Sequence, residues 1–312
     1  MAYLFNTSED VHEMLSVIGA SSIDSLFDCI PPEARFEGEL KIPAALSEIE
    51  LTRRMEQLAS RNQGVGQAVC FLGGGAYDHF IPAVVDALAS RGEFYTSYTP
   101  YQPEVSQGNL QVMFEYETLI CQLTGMDVSN ASLYDGASAT IEAVLLAMAS
   151  RPKCSRVVVA SSLHPEYRQV LETYLQWTRF ELVTVDCPDG NVPLAEWQES
   201  LDESVGCVVL SQPNFFGVIE DLTPHAEAAK ASDAVVVAVC DMISLGMFAS
   251  PAQWGADIVV GEGQPLGNPL QFGGPYLGIM ACREAFVRRM PGRIAGQTED
   301  RQGQRCWVLT LQ

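Results

Sequence analysis

The chain has 312 residues, of which 47% are hydrophobic and 18% are charged, as is typical of a globular protein with a large core. Its formal net charge of −21 argues against binding to nucleic acids or anionic membranes, which require a basic surface. There is no apolar run of membrane-spanning length and no secretory signal, so we expect a cytoplasmic location. The nine cysteines form no C-x-x-C pair, which favours free thiols over a metal site or a disulfide framework.

The N-terminal segment predicts a helical arm. Ser47 and Glu50 form a capping box, S-x-x-E, at the start of a helical stretch. The sequence changes in character after about residue 62, where glycines and aromatic residues replace the helical periodicity. The expected organisation is an N-terminal helical arm over 1–62, a large α/β domain over 63–292 and the start of an apparently truncated C-terminal domain over 293–312.

Two loops near the start of the large domain are rich in glycine and aromatic residues. The first, FLGGGAYDHF, has three consecutive glycines, which indicate a tight turn at a functional surface or against another backbone. The second, YTSYTPYQPE, carries Tyr95, Tyr98 and Tyr101 without helical or strand periodicity. These tyrosines could line a pocket or a subunit contact, because aromatic residues are enriched at interfaces. Local packing around the prolines is the alternative.

From there onward the chain alternates between β-branched runs and helices. Short apolar runs separated by helical segments predict a mostly parallel sheet with helices on both faces. The expected strands cover residues 156–161, 180–186, 206–212, 234–241, 256–261 and 276–282. The arginine-rich stretch PGRIAGQTEDRQGQR at 291–305 could bind carboxylates or phosphates, but we interpret it as a solvated connector.

An acid and a glutamine follow two of these strands. Asp241 ends the run AVVVAVCD, and Gln264 lies in a glycine-rich turn after ADIVVG. In pyridoxal-phosphate enzymes an acid at such a strand end pairs with the pyridinium nitrogen, and a lysine some tens of residues later holds the cofactor covalently. Gln264 stands at the expected lysine position, and an amide cannot form that bond. The pattern therefore predicts a cofactor fold without its covalent anchor.

Other candidate cofactor contacts follow strands of the same sheet, whose carboxyl ends are where such folds bind ligands. Ser138 and Thr140 lie at a helix start, where hydroxyls and backbone amides could hold a phosphate. His164 could stack on a planar ring, and Asn214 could reach a ring oxygen. Ordinary alternatives remain open: a small-residue helix cap, a helix-entry histidine, a turn asparagine, and a helix cap for Asp241.

Several long strings carry a resemblance to a known family. They are FLGGGAYDHFIPAVVDAL, YTSYTPYQPEVSQGNLQVMFEYETLICQLTGM, SSLHPEYRQVLETY, QPNFFGVIED, GADIVVGEGQPLGNPLQFGGPYLG and GRIAGQTEDRQGQRCWVLTLQ. Nearly from end to end, the chain resembles the α subunits (subunit 1) of two-subunit glycine dehydrogenases (decarboxylating), the P-proteins of the glycine cleavage system. Such subunits normally continue well past WVLTLQ, so a truncated chain or a gene fragment is expected.

The resemblance implies a fold-type-I pyridoxal-phosphate transferase architecture and an oxidoreductase complex. Glycine loses CO2 on the cofactor, and its aminomethyl group passes to the lipoyl arm of the H-protein. The resemblance also implies that the partner β subunit carries the cofactor lysine, that this chain alone is inactive, and that it completes the active site. The residues implied to contact the partner or complete its site are Tyr95, Tyr98, Tyr101, Glu104, Gly74 and His79. The implied vestigial pocket positions are Ser138, Thr140, His164, Asn214, Asp241 and Gln264.

Two other classes of function are considered. A free-standing pyridoxal-phosphate enzyme would have to use Lys153 or Lys230, and neither follows a strand at its carboxyl end. A degenerate binding or regulatory protein that kept the fold would fail to restore activity when mixed with a β subunit.

Overall fold

The structure, a computed structural model, describes residues 5–36, 38–271 and 276–310. The chain divides into two compact units, Met1–Gly64 and Val65–Gln312. The first unit contains α1 (Ser8–Ile18) and α2 (Glu48–Ala59). The predicted capping box is confirmed at α2, where the Glu50 carboxylate accepts a hydrogen bond from the Ser47 backbone N–H at 2.9 Å. Neither helix contains a buried residue.

The second unit contains the remaining helices and all strands of the described residues. Its helices are α3 (Ala83–Ala89), α4 (Gly92–Tyr95), α5 (Gln107–Thr124), α6 (Gly136–Ser150), α7 (Pro165–Leu175), α8 (Leu194–Glu199) and α9 (Thr223–Ala231). Its strands are β1 (Val128–Ser129), β2 (Arg156–Ala160), β3 (Glu181–Val185), β4 (Val205–Gln212), β5 (Val235–Cys240), β6 (Ile258–Glu262), β7 (Gly278–Cys282), β8 (Ile294–Glu299) and β9 (Arg305–Thr310).

Seven strands form one sheet in the order β1-β7-β6-β5-β4-β2-β3. The five strands from β3 to β6 run parallel, with Val209 opposite Val237 and Val237 opposite Ile258. This confirms the predicted mostly parallel sheet flanked by helices. At the other edge, β7 pairs with β6 in the antiparallel direction, and so does β1 with β7. The Gly-Gly-Pro at 273–275, between β6 and β7, lies outside the described residues.

The sheet is buried on both faces, which explains its continuous β-branched runs. Successive residues of a strand point to opposite faces. Val237 packs in the cluster under α6 and α7, whereas Val236 packs in the cluster under α8 and α9. Both side chains are fully buried, and each such burial stabilises the fold by roughly 1.5–3 kcal/mol. The strand runs therefore show no alternation between polar and apolar residues.

The interpretation of 291–305 as a solvated connector is wrong. This stretch contains β8, which pairs with the following β9 as an antiparallel hairpin. Ile294 and Ala295 are buried, and the Ala295 backbone N–H donates to the Glu117 carboxylate of α5 at 2.9 Å. The many charged and polar residues around these two hid the short apolar pair that docks the hairpin on α5.

The strand order creates a crevice at the carboxyl ends of the parallel strands. From β2 the chain continues to β3 towards one edge, and from β4 it continues to β5 towards the other edge. Open α/β sheets bind ligands beside such a switch point. Among the described residues, no helix combines the length and the apolar character that a membrane crossing requires.

Candidate functional site

A cavity of about 430 Å³ lies at this switch point. Segments that follow four parallel strands contribute to it: His164 after β2, Asn214 after β4, Asp241 after β5, and Glu262 at the end of β6. The glycine-rich loop around Gly74 closes one side. The structure therefore brings three of the predicted pocket residues, His164, Asn214 and Asp241, to one cavity, together with the predicted Gly74.

The loop at Gly73–Gly75 forms the predicted tight turn. All three glycines have positive φ values, of 62°, 75° and 95°, which only glycine adopts readily. This conformation brings the Gly74 carbonyl oxygen to 2.8 Å from the His164 Nε2. A few residues on, the His79 Nδ1 lies 3.0 Å from the Tyr77 carbonyl oxygen within the same loop.

Gln264 is fully buried beside the cavity, and both ends of its amide are bonded. Its Oε1 accepts from the Tyr77 backbone N–H at 2.8 Å, and its Nε2 donates to the Tyr77 carbonyl oxygen at 3.0 Å. The Nε2 also donates to the Asn268 carbonyl oxygen at 2.6 Å. A glutamine amide suits this role because it offers a donor and an acceptor side by side. Gln264 thus holds the glycine-rich segment against the turn after β6.

His164 caps α7 and is engaged on several sides. Its Nδ1 accepts from the Glu166 backbone N–H at 3.1 Å. Its ring stacks on Tyr167 with centroids 4.8 Å apart and meets the edge of Phe215 at the same separation. A side chain at Gly75 would contact the ring as well. The ring is therefore packed by this chain's own residues.

The start of α6 is occupied by two carboxylates. The Gly136 backbone N–H donates to Glu262 Oε2 at 2.9 Å, and the Ser138 N–H donates to Asp135 Oδ1 at 2.6 Å. The Thr140 hydroxyl donates to the Gly136 carbonyl oxygen within the helix, at 2.7 Å. Ser138 and Thr140 are thus at the helix start as predicted, but the Thr140 hydroxyl is already bonded to the backbone.

Asn214 and Asp241 line the cavity while bonding to nearby backbone. The Asn214 Oδ1 accepts from the Phe216 and Val218 N–H groups at 3.0 and 3.1 Å, and its amide donates to the Gly190 carbonyl oxygen at 2.7 Å. Asp241 Oδ1 accepts from the Ile243 N–H at 2.8 Å. Asn214 thus has the turn role that the sequence left open as an alternative. Asp241 also makes a turn contact, two residues ahead, but the short helical turn at 244–246 begins without a side-chain cap, so the helix-cap alternative for Asp241 is wrong. A cofactor role for either residue stays a prediction.

The aromatic loop lies at a different cavity. Tyr95 and Tyr98 line an apolar space of about 750 Å³ together with Val112 and Met113, and Arg293 lies at the same space. Tyr101 lines a neighbouring space that also contains Arg293. The three tyrosines and Glu104 are exposed. The structure therefore separates this loop from the switch-point cavity, and its predicted partner contact stays a prediction.

Two site residues were missed in the sequence. Glu262 ends β6 and bonds α6, and Tyr167 stacks on His164 with its hydroxyl against Gly136. Burial raises the Tyr167 pKa above its usual range, and the neighbouring Glu262 raises it further. The signal for Glu262 was available, because it is an acid at the end of a buried strand, as Asp241 is. Tyr167 gave no such signal within its amphipathic helix.

These residues do not fit a covalently held pyridoxal phosphate. Covalent capture of the cofactor aldehyde requires an amine at the cavity. In the part of the second unit that the structure describes, no lysine lines it. Lys153 precedes β2, and the Lys230 Nζ lies 3.9 Å from Asp257, which precedes β6. Both lie at the amino ends of the parallel strands, whereas the cavity lies at the carboxyl ends.

The sheet order and the cavity at its switch point define the class of fold, that of the fold-type-I pyridoxal-phosphate-dependent enzymes. A sphingosine-1-phosphate lyase from Burkholderia pseudomallei superposes with a TM-score of 0.60 over 89% of this chain and 67% of its own. The two chains are 14% identical, so this likeness shows the fold alone. The model of the family described as glycine cleavage system P-protein matches residues 1–312, and the chain belongs to that family.

Relatives and a solved structure agree with this family. The probable glycine dehydrogenase (decarboxylating) subunit 1 of Desulforamulus reducens is 52% identical over 312 residues, which cover all of this chain and 70% of the relative. The same subunit of Bacillus cereus is 47% identical over 310 residues, 99% of this chain and 69% of the relative. The crystal structure of a glycine decarboxylase (P-protein) in inhibitor-bound form superposes with a TM-score of 0.92 at 46% identity, over all of this chain and 70% of that chain.

Proposed function

We propose that this chain is the non-lysine subunit of a two-subunit glycine dehydrogenase (decarboxylating). Relatives that are about half identical in sequence are named subunit 1 of that enzyme, and such a name implies a second subunit. In the proposed complex, glycine is decarboxylated and its aminomethyl group passes to the lipoyl arm of the H-protein. Pyridoxal phosphate supplies the electron sink for this chemistry. It is held covalently by the second subunit and not by this chain.

The main support for this proposal is the chemistry and bonding of the Gln264 side chain. Its side chain is not nucleophilic, and its amide makes three hydrogen bonds to backbone atoms of Tyr77 and Asn268. A lysine at this position would lose the acceptor that Tyr77 requires. We therefore infer that Gln264 replaces the cofactor lysine and has a structural role. The chain alone then lacks glycine decarboxylase activity.

The positions of Lys153 and Lys230 support the same assignment of the cofactor to the second subunit. Lys153 and Lys230 are at the amino ends of parallel strands, the opposite end of the sheet from Gln264. Moving either ammonium group to the cavity would require rebuilding the sheet. A free-standing enzyme with one of them as its covalent anchor is therefore not favoured.

The exposed aromatic loop supports a contact with the second subunit. The Tyr98 side chain is 95% exposed and Tyr95 is 71% exposed, beside the apolar space that reaches Arg293. Aromatic and arginine side chains are the most frequent centres of protein interfaces. We propose that this loop, with Tyr101 and Glu104, packs on the second subunit and completes the active site there.

The test is a glycine–bicarbonate exchange assay on each subunit and on their mixture, with the H-protein present. The expected result is exchange by the mixture only, with co-purification of the two subunits. Exchange by this chain without the second subunit contradicts the proposal. Binding of the second subunit without any gain in exchange also contradicts it and points to the regulatory alternative.

A further inference from the structure

The N-terminus of α6 is where this chain could have held a phosphate. The first N–H groups of a helix have no partner within the helix, and the helix dipole favours anions there. In this chain the Gly136 N–H is taken by Glu262 and the Ser138 N–H by Asp135, at 2.9 and 2.6 Å. The Ala139 N–H donates to the Asp135 carbonyl oxygen. The chain thus provides its own anions at this position.

Glu262 is fixed in place by three separate segments. Besides Gly136, the backbone N–H groups of Gln264 and Leu277 donate to its Oε1 at 3.0 and 2.8 Å. The carboxylate therefore connects the end of β6, the start of α6 and the approach to β7. Burial raises its pKa, and the three N–H groups act in the opposite direction, because they stabilise the ionised form.

The Tyr167 side chain also blocks access to the start of α6. Its hydroxyl lies against Gly136 so closely that a side chain on Gly136 would overlap it. A small space of about 100 Å³ remains next to these groups, and it is lined by Asp135, Glu166 and Glu262 among others. An incoming phosphate would meet these carboxylates there, and of the first three N–H groups of α6 two are already bonded, those of Gly136 and Ser138.

We propose that the Glu262 carboxylate occupies the place that the cofactor's phosphate group would take at the start of α6. The chain would therefore exclude pyridoxal phosphate even as a non-covalent ligand. This inference rests on the proposed function, in which the second subunit holds the cofactor, and it extends that function. The absence of a lysine prevents covalent attachment only. A free helix N-terminus beside a cavity of about 430 Å³ would still permit non-covalent binding, and Glu262 removes that option.

The test is the variant Glu262→Gln, titrated with inorganic phosphate and with pyridoxine 5′-phosphate, which has no aldehyde. The glutamine oxygen can keep the bonds from Gln264 and Leu277. Its NH2 then takes the position of the oxygen that accepted from Gly136, so the Gly136 N–H loses its acceptor and both groups are available to an anion in the small space beside them. We expect both ligands to bind the variant at least about tenfold more tightly than the wild type. Backbone amide signals of Gly136 and Ala137 report the binding by NMR.

The matched control is Glu166→Gln. Glu166 lines the same small space and carries the same charge, but its carboxylate does not bond the α6 amides. We expect this control to bind no more tightly than the wild type. An equal gain in Glu166→Gln overturns the proposal, because the effect would then be one of general charge.

Two further results overturn the proposal. One is a shift of the Gly136 and Ala137 signals when the wild-type chain is titrated, a measurement that does not depend on whether the variant folds. The other is a folded Glu262→Gln that binds neither ligand better than the wild type. Since these titrations need no second subunit, their failure is distinct from a failure of the exchange assay. Phosphate should also raise the melting temperature of the variant and leave that of the wild type unchanged.

Discussion

The central sheet and the segment from residue 65 to residue 105 differ in how far their apolar side chains are buried within this chain. Every residue of β5 is buried, and helices cover both faces of the sheet. In the segment, by contrast, Phe71, Leu72 and Tyr98 are each more than nine-tenths exposed. The sheet is thus fully packed within this chain, whereas the segment leaves large apolar side chains exposed to solvent.

The largest expected effect on stability comes from removing a side chain of the core that packs on the sheet. Trp197 on α8 is fully buried, and its indole N–H donates to the His225 carbonyl oxygen at 3.1 Å. Trp197→Ala should lower the free energy of unfolding by about 4 kcal/mol, because it leaves a cavity and removes a buried hydrogen bond. Denaturant titration measures this. The control Trp177→Ala, at a side chain that is 86% exposed, should change it by less than about 0.5 kcal/mol. Similar effects at both positions would contradict the described core.

A second prediction concerns pH and the hairpin on α5. Burial raises the pKa of Glu117 from its ordinary value of 4.5 to about 7, although the Ala295 N–H acts against this. Between these values the folded state keeps a proton that the unfolded state loses. Stability from this group is therefore complete below the lower value and declines as pH rises through 7, by at most about 3 kcal/mol.

The variant Glu117→Gln removes this titration. We expect its free energy of unfolding, relative to wild type, to rise between about pH 5 and about pH 8, as measured by urea titration at each pH. Glu115→Gln, an exposed position on the same helix, is the control and should show no such change. A pH-independent difference between Glu117→Gln and wild type would show that Glu117 does not hold the extra proton.

A substitution in the aromatic loop should have the smallest effect on stability. Its effect on activity should nevertheless be large. Tyr98→Ala should change the free energy of unfolding of this chain by less than about 0.5 kcal/mol, because the side chain is exposed. In the mixture with the second subunit, the exchange rate should fall by about tenfold if the loop completes the site. Tyr174→Ala, at an exposed tyrosine on α7, serves as the control. An unchanged rate for Tyr98→Ala would remove the loop from the active site.

Much of the fold could be predicted from the sequence because the strands are unusually uniform. Runs such as VVVAVC can only be buried on both faces, and the helices between them require a parallel sheet. The antiparallel β7 could not be predicted, since a short apolar run carries no mark of strand direction. The hairpin at β8 was missed because Ile294 and Ala295 are the two buried residues of a strand that is otherwise polar.

The location of the site could be predicted from the sequence, but most of the hydrogen bonds between its residues could not. His164, Asn214 and Asp241 meet at one cavity because each follows a parallel strand, and the positions of these strands could be predicted from the sequence. The bonds from Gln264 to Tyr77 link residues that are 187 positions apart, and no local pattern indicates such a pair. For the same reason the sequence did not reveal that Glu262 occupies the start of α6.

The most direct test of the central claim is borohydride reduction of the assembled two-subunit complex in the presence of pyridoxal phosphate. Intact-mass analysis of the separated chains then shows which one carries the reduced cofactor. We expect one cofactor on the second subunit and none on this chain, because the amide of Gln264 offers no amine to the aldehyde. A stoichiometric cofactor adduct on this chain, at any lysine, would contradict the account.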